Sequence, residues 1–311
     1  MIIEQSEAII NEVGKVLIGK DEIIKKVLMA IYSGGHVLLE DFPGVGKTTL
    51  ALGFSKALGL EYKRVQFTPD TMPSDIIGYS SLSKNGEEMI YRPGAVYTNL
   101  FLGDEINRTS AKTQSALLEA MEEGSVTVDG QTYNLPTPFI CIATQNPVGS
   151  AGTQLLPESQ LDRFIVRLSI GYPSPDEMVE ILERKKYVNP MDSVTTVTTR
   201  DQILEVQNYL GSIRMSKDIA RYIANLCEAT HNDDYIELGV SPRGALALSR
   251  MARANALMNE RDYVIPEDVR YVFKDVCAHR LVLKPKVRIE GMDAYSVLDQ
   301  ILEKTPVPSR G

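Results

Sequence analysis

Residues 36–49, His36-Val37-Leu38-Leu39-Glu40-Asp41-Phe42-Pro43-Gly44-Val45-Gly46-Lys47-Thr48-Thr49, read as a short apolar strand, a turn rich in proline and glycine, and the opening of a helix that continues to about Leu58. Such a turn suits a triphosphate. The small residues of Pro43-Gly44-Val45-Gly46 let backbone N–H groups close on phosphate oxygens, and Lys47 reaches the outer phosphates. Thr48 places a hydroxyl on Mg²⁺, and Thr49 follows it at the start of the helix. The usual spacing has a glycine five positions before Gly46, where this chain carries Asp41. The strand before the loop and the helix after it supply the context that the pattern requires.

A second motif lies downstream. Asn99-Leu100-Phe101-Leu102-Gly103-Asp104-Glu105 has the form of a buried strand ending in two carboxylates, and Asp104 stands 57 residues after Lys47 (104 − 47). In ATPases with a phosphate loop, the first such acid holds Mg²⁺, commonly through water, and an acid directly after it polarises the attacking water. Asp104 is therefore expected on the metal side and Glu105 as general base.

Around these motifs the strand-like runs are His36–Leu39, Tyr62–Phe67, Leu100–Gly103, Phe139–Thr144 and Phe164–Leu168, with helical stretches between several of them. Strands alternating with helices predict an α/β fold with a mainly parallel, five-stranded sheet covered on both faces. Apolar spacing from Ile2 to Tyr32 fits two helices broken at Ile18-Gly19-Lys20-Asp21. After Pro173 and Pro175 the texture becomes helical: Asp176–Lys186, Arg200–Leu210, Ser216–Thr230, Pro242–Asn259 and Pro266–Arg280. Two domains are expected, a nucleotide-binding core over 1–172 and a smaller, all-helical domain over 176–311. Two hairpins interrupt the core. Gly78–Pro93 turns at Lys84-Asn85-Gly86, and Gly124–Pro138 turns at Asp129-Gly130.

The 311 residues are 43% hydrophobic and 24% charged, as in an ordinary globular protein, with a formal charge of −8. Residues 1–172 hold 14 basic and 20 acidic side chains, and residues 173–311 hold 19 and 21. An acidic balance in both halves disfavours nucleic acid as the main partner, because that affinity comes largely from neutralised phosphates. Cys141, Cys227 and Cys277 have no metal-type spacing and read as core residues of a reducing compartment. His36, His231 and His279 show no ligand spacing either. The N-terminus, with acids where a signal peptide carries positive charge, and the absence of a long apolar run predict a cytoplasmic protein without a transmembrane segment.

Four stretches in order carry a family likeness: Glu40–Thr48, Asp104-Glu105-Ile106-Asn107-Arg108, Ala143-Thr144-Gln145-Asn146-Pro147, and Leu156-Pro157-Glu158-Ser159-Gln160-Leu161-Asp162-Arg163-Phe164. The chain resembles the MoxR family of AAA+ ATPases over nearly its whole length, and an acid at position 41 is tolerated in such proteins. The resemblance implies an αβα core followed by a helical lid, ATP and Mg²⁺ as ligands, and a ring, expected as a hexamer. It places Asn146 at the sensor-1 position and makes Arg163 an arginine finger given to the neighbouring subunit. Ser241-Pro242-Arg243-Gly244 resembles the sensor-2 motif, with Arg243 reaching the γ-phosphate from the lid and nucleotide held between lid and core. Plainer readings exist: Arg163 could pair with Asp162 or Glu158, Ser241-Pro242 is also a good helix cap, and the hairpins could be surface ornaments. Partners implied by the resemblance are proteins bearing a von Willebrand factor A domain and client protein complexes that are matured, remodelled or loaded with metal. The alternatives are a nucleic-acid motor of the same branch and a slow, nucleotide-gated binding module.

Overall fold

The structure is a computed structural model and describes residues 2–83, 88–146, 156–184 and 189–308. Helices α1 (Ile2–Gly14) and α2 (Asp21–Tyr32) precede β1 (Val37–Glu40), α3 (Lys47–Leu58) and β2 (Tyr62–Gln66). A short α4 (Pro73–Ile77) leads to a hairpin of β3 (Gly78–Leu82) and β4 (Met89–Pro93), then to β5 (Leu100–Asp104) and α5 (Ala111–Glu123). A second hairpin, β6 (Ser125–Val128) and β7 (Gln131–Asn134), is followed by β8 (Ile140–Gln145), α6 (Glu158–Leu161) and β9 (Val166–Leu168).

One five-stranded sheet runs in the order β2-β5-β8-β1-β9. All four of its pairings are parallel, so the sheet is more uniform than the mainly parallel one expected. Alternation along its strands builds two cores. Val37, Leu39, Leu100, Leu102, Ile140 and Ile142 face α1, α2 and α3, whereas Leu38, Phe101, Cys141 and Ala143 face the side of α5. A strand buried on both faces reads as a continuous apolar run, which is why these segments were legible.

Beyond β9 come α7 (Pro175–Arg184), α8 (Arg200–Leu210), α9 (Lys217–His231), α10 (Pro242–Met258), α11 (Pro266–Cys277), α12 (Lys286–Ile289) and α13 (Ala294–Lys304). This region is not all-helical. The short strands β10 (Ile236–Leu238) and β11 (Val282–Leu283) pair antiparallel, too briefly for any periodicity to announce them. The last helix of the Pro266–Arg280 stretch ends at Cys277 and tightens into a 3₁₀ turn over Ala278–Arg280. The expected helix end at Lys186, the hairpin tip Lys84-Asn85-Gly86 and Pro147 lie outside the described residues. Asp129 and Gly130 both take left-handed backbone (φ 50° and 79°), the conformation for which a two-residue hairpin selects Asp-Gly. Among the described residues no helix is long and apolar enough to cross a membrane.

The sheet and the C-terminal helices share one apolar core, in which Ile24, Leu28 and Ile31 of α2 cluster with Leu248 and Met251 of α10. Arg280 completes the join. Nearly buried, it donates from Nε to Asp162 Oδ1 at 2.7 Å and from Nη2 to Phe164 O at 2.7 Å, pinning the segment before β9 to the end of α11. Removing it would take away the guanidinium shared by Asp162 Oδ1 and the Phe164 carbonyl and leave Asp162 only Ser241 Oγ, so Arg280→Ala is expected to cost about 3 kcal/mol or more in chemical denaturation. A loss under about 1 kcal/mol would show that this joint carries little of the stability.

Candidate active site

Parallel strands point their carboxyl ends the same way, and four of the expected site residues gather there. Lys47 opens α3 after the loop that leaves β1, Asp104 ends β5, Glu105 follows it, and Asn146 follows β8. Gly44 and Gly46 take left-handed φ values of 87° and 102°, and a Cβ at Gly46 would meet Leu17 Cδ1 at 2.9 Å. The loop is therefore restricted to glycine at this point. Lys47 is nearly buried, with Nζ donating to the backbone carbonyl of Asp41 at 2.7 Å. Burial lowers the pKa of its ammonium, against the upward pull of Asp41, Asp104 and Glu105.

Asp41, the departure from the usual loop, has a structural role. Its carboxylate accepts from Ser169 Oγ at 2.8 Å, Ile170 N at 2.5 Å and Gly171 N at 3.2 Å. It thus ties the phosphate loop to the chain leaving β9, which continues through Tyr172 into α7. Tyr172 stacks on Phe42 with ring centroids 6.1 Å apart.

Asp104 is held from two sides. Its Oδ1 accepts from Thr144 Oγ1 at 2.9 Å, and the same threonine oxygen accepts from Glu105 N at 2.9 Å. Thr144 is fully buried on β8 and so fixes both acids at once. Asp104 Oδ2 faces Thr48 Oγ1 at 3.4 Å and takes the Arg64 guanidinium at 2.8 Å from Nε and 2.7 Å from Nη2. A carboxylate oxygen and a hydroxyl that converge beside a bound positive group are a fit donor set for a hard cation such as Mg²⁺.

Glu105 stands in left-handed backbone (φ 57°, ψ 49°), rare for a residue other than glycine, and this turns its side chain out of the strand line. It accepts from Asn146 Nδ2 at 2.9 Å, Gln66 Nε2 at 3.0 Å and Arg108 Nη1 at 2.7 Å. Burial pushes its pKa up, but the hydrogen bonds from Arg108 and Asn146 and the charges of Arg108 and Lys47 outweigh this and hold it below the usual glutamate range. Asn146 Oδ1 is buried and has no partner among the described residues.

Two cavities share Gly44, Gly46, Thr48 and Thr49. One of about 310 Å³ lies between the loop and Arg64, Gln66, Asp104 and Glu105. The other, of about 610 Å³, is walled by Leu17, Ile18, Leu52, Tyr172, Met178 and Ile181. A polar chamber for phosphates beside a larger, more apolar cleft for a nucleoside has the dimensions of a nucleotide site.

Arg163 and Arg243 are elsewhere. Arg163 precedes β9, and Ile165 N donates to His36 O at 2.8 Å, so this segment lies at the amino ends of β9 and β1. Arg243, in the first turn of α10, lines the same cavity as Arg163, His36 and Glu122 and neither cavity at the phosphate loop. A four-residue β1 alone separates the two ends by roughly 13 Å. The expectation that Arg243 reaches the γ-phosphate of its own chain's nucleotide is not realised, because the packing of α10 on α2 places its N-terminus at the far edge of the sheet. The larger cavity at the phosphate loop lies between the core, α7 and the later residues Asn189, Pro190 and Met191. Arg163 pairs with Glu122, not with Asp162 or Glu158, and Ser241 does cap α10, accepting from Gly244 N at 3.1 Å.

The residues that the sequence did not single out for this site are Arg64, Gln66, Arg108 and Thr144. Arg64 and Gln66 matter because β2 pairs with β5, setting Gln66 opposite Asp104, and strand order leaves no local signal in sequence.

Residues 36–166 match the family described as ATPase family associated with various cellular activities (AAA), and residues 228–301 match the AAA lid domain family. Chaperone MoxR1 of Mycobacterium tuberculosis is 38% identical across 97% of this chain and 82% of its own length. This chain belongs to the MoxR family of AAA+ ATPases. YeaC of Bacillus subtilis, described as uncharacterised, is 44% identical over 96% of this chain and 93% of its own. A crystal structure from Cytophaga hutchinsonii, of a protein assigned as an ATPase, superimposes with a TM-score of 0.89 at 36% identity, covering 98% of this chain and 96% of that one. The protein is thus a nucleotide-binding ATPase of a chaperone-type family, with an AAA core and an AAA lid.

Two outcomes are expected of this MoxR-type site. Thr144→Val keeps the shape of the side chain but frees both acids, and it should lower turnover about 10- to 100-fold while ATP binding, read by a fluorescent analogue, persists. Arg108→Ala removes the strongest pull on Glu105, so the carboxylate takes up its proton at a higher pH. Since a base works only when ionised, the acid limb of the turnover profile should move to higher pH, and an unmoved limb would contradict the assignment of Glu105 as base.

Proposed function

We propose that the protein hydrolyses ATP with Mg²⁺ at sites shared between neighbouring subunits of a ring and uses the resulting movement to remodel partner proteins. The observation that carries this reading is the separation of the site into two halves at opposite edges of one sheet. Lys47, Thr48, Asp104, Glu105 and Asn146 form one half, and Arg163 and Arg243 the other. In a closed ring one subunit's first half can face its neighbour's second half, in the head-to-tail arrangement that generates rings.

Pro43, Gly44, Val45 and Gly46 would wrap the phosphates with backbone N–H groups, Lys47 would bind the outer ones, and Thr49 would extend the cradle. Leu17, Ile18 and Tyr172 would enclose the nucleoside. Thr48 and Asp104 would hold Mg²⁺, which supplies charge neutralisation for the phosphoryl oxygens. Lys47 has to leave the Asp41 carbonyl and Arg64 has to yield part of Asp104 as nucleotide enters. Glu105 would accept the proton of the attacking water, whose second hydrogen can be received by Asn146 Oδ1. Arg163 and Arg243 from the neighbour would stabilise charge on the transferring phosphoryl group, an effect worth roughly 10³ to 10⁵ in rate.

The ring is proposed as a hexamer in the cytoplasm. Its clients are proposed as protein complexes that need maturation or metal insertion, with a von Willebrand factor A domain protein as partner. The exposed Tyr79, Leu82 and Met89 on the β3–β4 hairpin are suited to gripping such a client.

Turnover per subunit is expected to rise with protein concentration as assemblies form, followed by light scattering on the same samples. In Arg163→Ala it should fall by about 10³-fold while ATP still binds. Glu105→Gln should retain ATP and stabilise the assembly. Constant turnover from a monomer, indifferent to Arg163, would rule out the shared site.

A further inference from the structure

The two arginines assigned to a neighbour's triphosphate converge on one carboxylate. Glu122, in the last turn of α5, accepts from Arg163 Nη1 through Oε2 and from Arg243 Nη2 through Oε1. Their roots are joined as well. Ser241 Oγ donates to Asp162 Oδ2 at 2.9 Å, which links the residue before Arg163 to the residue two before Arg243. Arg163 Nη1 also donates to Leu118 O at 3.0 Å, which seats it on α5. The cavity around them, of about 290 Å³, is lined by four arginines, Arg163, Arg243, Arg250 and Arg280, against the two acids Glu122 and Asp162.

Two guanidinium groups brought this close repel each other unless an anion lies between them. Each group has five N–H donors in a rigid fork, so a carboxylate that takes one nitrogen of each still leaves donors for phosphate oxygens. Arg163 Nε is buried and has no hydrogen-bond partner among the described residues. Glu122 lines neither cavity at its own chain's phosphate loop, so it is placed to act only through the arginines.

We propose that Glu122 is a positioning residue for ATP hydrolysis in the neighbouring subunit, holding Arg163 and Arg243 together as one two-pronged cation. The inference rests on the shared-site reading above. It predicts that Glu122 acts from the subunit that lends the arginines and not from the subunit that binds the reacting ATP.

Mixed assemblies separate the two roles. Glu105→Gln lacks its base but can lend its arginines, and Arg163→Ala lacks its finger but keeps its own ATP site, so mixing the two inactive variants should restore turnover. Adding Glu122→Gln to the Glu105→Gln subunit should lower the restored turnover about tenfold, with ATP affinity unchanged by fluorescent-analogue titration. Adding it instead to the Arg163→Ala subunit, whose arginine pair is already broken, should have no effect. Glu122→Asp, which keeps the charge, should recover part of the loss where a change in folding alone would not. If mixing restores nothing, the shared site and this inference fall together. If mixing restores turnover but Glu122→Gln acts equally in either subunit, or in neither, the shared site stands and the role of Glu122 is overturned.

Discussion

The parallel sheet imposes the constraint on which the rest depends. Because all five strands run the same way, their carboxyl ends gather the phosphate loop, the paired acids and Asn146 along one edge, and their amino ends face the opposite edge. Hydrogen bonding across the strands then sets the fine positions. Register puts Gln66 beside Asp104, and Thr144 on the next strand bridges Asp104 and the backbone of Glu105. Arg163 and Arg243 at the far edge line neither cavity beside this cluster.

Charge is arranged around this polarity. At the carboxyl edge Arg64 pairs with Asp104 and Arg108 with Glu105. At the amino edge Glu122 and Asp162 compensate Arg163, Arg243 and Arg280. The amino edge keeps an excess of arginine over carboxylate. Asp41 adds a structural link, because its carboxylate anchors the phosphate loop to Ser169, Ile170 and Gly171 on the chain that leads to α7.

Much of this was readable from the residues alone, for physical reasons. Strands buried on both faces give continuous apolar runs, the loop needs glycine at 44 and 46, and Ser216 and Ser241 announce helix starts by capping them. What could not be read was which distant elements meet. Arg64 sits in a strand with no motif of its own, and only its pairing with β5 makes it a partner of Asp104. Arg243 matches a motif, but the packing of α10 against α2 decides which edge of the sheet it occupies, and that is a tertiary fact. Asp41 departs from the usual loop pattern, and its anchoring role follows only from the three distant donors that it meets. Strands β10 and β11 were too short to register at all.

The central claim is that one ATP is served by two subunits. A structure of the assembled Glu105→Gln variant with ATP and Mg²⁺ tests it most directly. The account predicts that the γ-phosphate bound by Lys47 of one subunit is contacted by Arg163 and Arg243 of its neighbour. An assembly in which those arginines approach only the ATP of their own chain, or no ATP at all, would contradict it.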